Sequence, residues 1–311
     1  MGKPKADVIA PDGDVILVVG SERARFRVHS TFLKAVSKPF SAMFSSRWNE
    51  GNDPLHQSEP IEIPLPDDDS MAMLIICAVI HHQYKSIPRH LPARTALQVA
   101  ITADKYDCVD SLQFASGLLA KPHETEARNL MVLTAAAYGL QNADIFKEIT
   151  KTLILTHTGS YLSLSSEDIE SVMDWKVFYL LEEARSITRL KLASILLNGV
   201  NDITGSCCHR CGWTSTHAYA YVKQLEEREI WPAHLSHKPI YKVIETAETM
   251  PDPVPKEESA HCTYSYKHCL PEYRSERQKP LENLTRPVGL CLHCIISNSG
   301  NPLDCKLTHN D

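Results

Sequence analysis

Along residues 14–44 the alternation of apolar and polar positions changes rhythm three times. First comes Val15, Ile16, Leu17, Val18 and Val19, an unbroken and mostly β-branched run. Its five residues suit a strand covered on both faces. Residues 20–23 read as a turn. Ala24, Phe26 and Val28 then alternate with Arg25 and Arg27, the period of two expected of a half-buried strand. Beyond His29 the spacing turns helical, with Phe32, Leu33 and Val36, then Phe40, Met43 and Phe44 behind Pro39, a residue suited to opening a helix. The pattern predicts one hairpin feeding two short helices.

Downstream, residues 52–60 are polar and proline-bounded, as in a surface loop. Ile61, Ile63 and Leu65 alternate with Glu62 and Pro64, and the proline predicts an edge strand. Asp67, Asp68 and Asp69 precede a stripe of Met71, Leu74, Ile75, Ala78 and Val79. This reads as an acidic cap on a helix, in preference to metal ligation. Further stripes run through Leu97, Ala100 and Ile101, then Leu112, Ala115, Leu118 and Leu119. Lys121-Pro122 closes this part. Residues 124–200 carry helical stripes almost throughout (Leu130, Leu133, Ala137; Phe146, Ile149, Leu153; Val177, Leu180, Leu181), read as packing faces.

The ordered set of Asp14 before an apolar strand, Phe26-x-Val28-His29, Ser37-x-x-Phe40-x-x-Met43-Phe44, Trp48-x-Glu50-Gly51, the Ile61 to Asp68 segment and Ala103-Asp-Lys-Tyr-Asp-Cys108 resembles a BTB/POZ domain. The last piece is most similar to BTB proteins of filamentous fungi. The resemblance implies an α+β fold, a small sheet capped by helices, over residues 14–121. It further implies self-association or docking of other chains, in some members a cullin-type scaffold of a ubiquitin ligase. Those adaptors carry a hydrophobic-x-Glu motif after the second short helix, and Trp48 and Glu50 fall at that place. An aromatic beside a carboxylate is a plausible interface anchor; the plainer reading packs Trp48 on its own helix. The transcription-factor branch pairs the initial Asp with a basic residue after the His. Here Ser30 leaves that charged pocket incomplete, and the 13 residues before Asp14 offer no swapped N-terminal helix.

Composition adds bounds. The 311 residues are 43% hydrophobic and 23% charged with a net charge of −6, which gives no whole-chain pull toward nucleic acid or anionic membrane. The longest apolar run, residues 71–80, is ten residues, short of a bilayer span. No signal core opens the chain, and Ala6 stands where a myristoylation pattern wants Ser or Thr. The reading is an intracellular protein of the cytoplasm, the nucleus or both. No His-Glu-x-x-His, Gly-rich phosphate loop or Gly-x-Ser-x-Gly elbow occurs, so an enzyme is not expected.

Of ten cysteines, Cys77 and Cys108 sit in apolar helical context and read as inert core; the other eight follow residue 206. The predicted organisation is therefore the domain at 14–121, a helical extension at 122–204, and a Cys/His-rich region at 205–311 with a disordered Pro-rich loop near 251–260. In that region Cys208-x-x-Cys211 and Cys291-x-x-Cys294 are two knuckles that can supply the four ligands of a closed structural zinc site, with Zn–S near about 2.3 Å. Their 79-residue separation exceeds usual ribbon spacing, so Cys262, Cys269, His217 or His268 could replace part of the quartet. Redox use is disfavoured for want of a surrounding βαβ pattern. Residues 201–311 carry 12 Lys and Arg against 14 Asp and Glu. That argues against the alternative of a zinc-bearing nucleic-acid binder, which would rest on Arg274, Arg277, Lys279 and Arg286.

Overall fold

A computed structural model describes residues 7–48, 59–88, 90–119, 126–201, 213–254 and 272–305. They form two compact units, one built mainly from Met1–Ile149 with Leu164–Trp175, the other mainly from Thr150–Ser163 with Lys176–Leu290.

The first unit is organised on a four-stranded sheet, β1 (Asp7–Val8), β2 (Val15–Val19), β3 (Ala24–Val28) and β4 (Ile61–Leu65), in the order β1-β3-β2-β4. The β2–β3 hairpin is antiparallel with Leu17 opposite Phe26, while β4 adds to β2 in parallel. The turn between β2 and β3 requires left-handed backbone at Gly20 and Arg23. All five residues of β2 are buried, as an unbroken apolar run demands. Pro64 is exposed on β4, which lies at the sheet edge. The two-residue β1 pairs in parallel with β3 and was not foreshadowed by any periodicity. Gly13 has no room for a side chain, because a Cβ there would run into the Val28 backbone at the end of β3.

Helices α1 (Ser30–Val36), α2 (Lys38–Trp48), α3 (Ser70–Ile80), α4 (Ala93–Lys105), α5 (Gln113–Leu119), α6 (Ala127–Gly139) and α7 (Ala143–Thr156) follow, and α3 packs on both α1 and α4. Leu17, Phe26, Leu33, Phe40, Phe44, Ile75, Ile76 and Ala100 share one continuous core. Cys77 and Cys108 lie within it. Burial of this kind pushes both thiols up, Cys108 to about 12. α6 then packs against α4.

After the short α8 (Glu167–Glu170), the second unit centres on the 26-residue α9 (Lys176–Asn201), against which α10 (Trp213–Glu227) and α12 (Tyr273–Leu284) pack. α11 (Ile240–Thr249) buries Ile240, Val243, Ile244 and Ala247, the i, i+3, i+4, i+7 stripe of an amphipathic helix. Tyr221 stacks on Tyr273 with ring centres 4.5 Å apart and donates its hydroxyl to the Leu196 carbonyl. The chain's described part closes with α13 (Leu292–Ile296) and a run of turns to Cys305.

Candidate functional site

Two polar clusters hold the helices of the first unit against its sheet. Asp14, in the turn before β2, accepts the Ser30 backbone N–H at 2.8 Å and the Ser30 hydroxyl at 2.6 Å. A carboxylate at that point satisfies an otherwise orphaned donor at the start of α1, where the His29 side chain provides no cap. The serine that leaves a charged pocket incomplete on sequence grounds thus has a definite use: it ties hairpin to helix.

The second cluster centres on Asp68. Of the three aspartates read as one cap, only Asp69 caps α3, accepting from the Ala72 N–H. Asp68 instead turns inward, with its side chain 5% exposed. It accepts the Tyr106 hydroxyl at 2.7 Å and the Lys105 ammonium at 2.6 Å. The Tyr106 ring stacks on Phe40 with centres 4.3 Å apart, and its backbone carbonyl accepts the Ser37 hydroxyl. Burial and the neighbouring carboxylate drive the Tyr106 hydroxyl far above its ordinary range. So the bond between Asp68 and Lys105, 37 residues apart, brings the stretches 61–68 and 103–108 into one cluster.

This scaffold leaves several large apolar side chains on the surface. Phe32 on α1, Met71 on α3 and Tyr84 are each between 42% and 49% exposed, and Phe114 on α5 is fully exposed. Trp48 is the last residue of α2 and is described by its backbone alone, whereas Glu50 lies outside the described residues. His29, Phe32 and His81 form a ring cluster. The His81 Nδ1 lies 2.8 Å from the Cys77 carbonyl, and its Nε2 accepts the His29 backbone N–H. Those two contacts require the neutral Nδ1–H form, and burial lowers the His81 pKa in the same direction.

In the second unit, Arg277, one of the four basic residues on which a nucleic-acid surface would rest, is buried. It donates to the Ala247 and Met250 carbonyls, closing the carboxyl end of α11, so its charge is not presented outward. A groove of about 460 Å³ runs past Thr216, Tyr219, Lys223, Glu227 and Pro253. Its charged side chains are an i,i+4 pair, Lys223 and Glu227, 3.8 Å apart.

Among the metal-ligand candidates, Cys208, Cys211, Cys262, Cys269 and His268 lie outside the described residues. His217 is buried on α10 and belongs to no ligand group among the described residues. Cys291 precedes α13 and Cys294 lies within it. Their sulfur atoms and that of Cys305 all lie within 4.8 Å of one another, close enough to share one ion. Cys305 was missed by motif reading because it has no cysteine two or three positions away.

The first unit is thus a small sheet backed by helices, fastened through the Asp14 and Asp68 carboxylates, with Phe32, Met71, Tyr84 and Phe114 exposed. Residues 12–121 match the family model of the BTB/POZ domain, a module for protein–protein interaction and oligomerisation. No curated protein and no solved structure matches the chain. No helix among the described residues is long and apolar enough to cross a membrane.

Proposed function

We propose that the chain is a non-catalytic adaptor whose N-terminal domain docks a protein partner. The match of residues 12–121 to an interaction domain supports this reading most directly. Exposed Phe32 and Phe114 on two helices of that unit are the kind of aromatic anchors that dominate interfaces. The partner proposed is a cullin-type scaffold of a ubiquitin ligase, contacted through Trp48 and Glu50 at and just beyond the end of α2; self-association by another face is compatible with it. The protein so proposed is intracellular, of fungal type, and works in cytoplasm or nucleus. Its C-terminal region is stabilised by zinc held by cysteine thiolates, with Cys291 and Cys294 as one knuckle and Cys208 and Cys211 as the other.

Affinity capture of the tagged full chain, with the recovered proteins identified by mass spectrometry, tests the docking reading. A cullin should be recovered by the wild type and lost from Trp48→Ala/Glu50→Ala. Recovery untouched by the double substitution would remove those residues from the interface.

A further inference from the structure

We propose that Cys305 is a metal ligand, the third thiolate of a site it forms with Cys291 and Cys294, and that the site takes one soft divalent cation of the zinc class. The inference rests on the reading of the C-terminal region as metal-binding and adds to it a ligand that the paired-knuckle pattern does not contain.

The geometry comes from one continuous stretch. Cys291 and Cys294 are separated by two residues at the start of α13, and the Ile295 N–H bonds back to the Cys291 carbonyl. After Ile296 the chain must reverse. Asn298 and Gly300 both take left-handed backbone, a conformation those two residue types adopt at low cost. Asn301 then holds two bonds of the following turn, its side-chain oxygen accepting the Leu303 N–H and its carbonyl the Asp304 N–H. The next residue is Cys305. The turn residues between the knuckle and Cys305 therefore return a third sulfur to the first two.

The distances suit an ion. Tetrahedral zinc with Zn–S of about 2.3 Å sets its sulfurs about 3.8 Å apart. The three sulfurs already lie within 4.8 Å, so gathering them needs movements of about 1 Å or less. A redox pair uses two sulfurs, whereas three at mutual contact distance match three-quarters of a structural zinc shell. Cys294 is buried and the other two are half-buried, an environment that disfavours three thiolate charges unless a cation balances them. On binding, each thiol gives up its proton to solvent and its sulfur lone pair to the metal, so affinity falls as pH is lowered. The fourth position then needs one ligand from elsewhere in the chain, in place of the two supplied by a full second knuckle.

Cobalt(II) titrated into the reduced, chelator-stripped full chain reads thiolate number directly, through sulfur-to-metal charge-transfer absorption and the visible bands of tetrahedral cobalt. One ion should bind. Cys305→Ser should weaken binding at least about tenfold, the lower end of what even an outer partner of a metal site costs, and should cut the charge-transfer intensity. Cys305→His should keep the tetrahedral bands with one thiolate fewer, a result that mere misfolding would not give. Affinity and spectrum unchanged in Cys305→Ser, with binding abolished in Cys208→Ser and Cys291→Ser, would overturn the role of Cys305 and leave the two-knuckle zinc reading standing. No cobalt binding by the wild type, with thiol counting showing a disulfide among Cys291, Cys294 and Cys305, would sink both.

Discussion

Removing one oxygen atom from Tyr106 should test how the first unit is held together. Tyr106→Phe keeps the ring that stacks on Phe40 at 4.3 Å and deletes only the hydroxyl that reaches Asp68 at 2.7 Å. A hydrogen bond to a charged acceptor contributes about 1.5–3 kcal/mol, more when its loss strands a buried partner. The Asp68 side chain is 5% exposed and would retain only Lys105, which is half exposed and therefore screened. The expected cost is about 2 kcal/mol, a fall in Tm of about 4–8 °C for a unit of this size. Tyr106→Leu, which also forfeits the ring stacking, should cost about 1 kcal/mol more. Thermal melts of the full chain by circular dichroism give the shifts, and hydrogen exchange of α3 and α4 amides locates them. A double-mutant cycle with Asp68→Asn should show coupling of at least about 1 kcal/mol. If Tyr106→Phe melts within about 1 °C of wild type, the cluster is not a fastening and the account of it is wrong.

The His81 ring gives a pH signature. Its folded pKa is lowered by burial, so its contribution to stability is complete above the ordinary histidine range. That contribution drains away as pH falls through the unfolded value near about 6.5 toward the folded one. Melts at pH 7.5 and 5.5 should therefore differ more for wild type than for His81→Gln; equal differences would discount the ring cluster of His29, Phe32 and His81. A second measurement concerns the core thiols. With Cys108 pushed up to about 12 and Cys77 raised as well, both should resist alkylation at neutral pH until the first unit unfolds. Rapid labelling of either in the native chain, read by peptide mass mapping, would contradict their burial.

Much of the first unit was legible because its signals are local. The apolar run at Val15–Val19 became a fully buried strand, and Pro64 sits on the edge strand it predicts. Asp69 shows the cap its position suggests. What escaped was long-range or too short to carry a period. β1 spans two residues and exists by pairing with β3. Asp68 looks in sequence like its neighbour Asp69, and only the approach of Tyr106 gives it a different role. Cys305 carries no knuckle spacing. The Asn-Ser-Gly-Asn-Pro run ahead of it was the available clue, since such residues bend a chain back on itself. Glu50, Cys208 and Cys211 fall outside the described residues, and the Trp48 side chain is not described, so their roles stand as proposals.

The position of Pro64 has a consequence for crowded solutions. Bonds from Ile61 to Asp14 and from Gly20 to Leu65 fix the parity of β4, so the backbone nitrogens of Glu62 and Pro64 face away from β2. The second of those nitrogens carries no hydrogen. A stray extended peptide arriving at that margin finds a gap where a donor should be, and among the described residues the opposite margin spans two. That margin is thus a poor seed for fibrous stacking, a useful property in a unit that leaves Phe32 and Phe114 exposed.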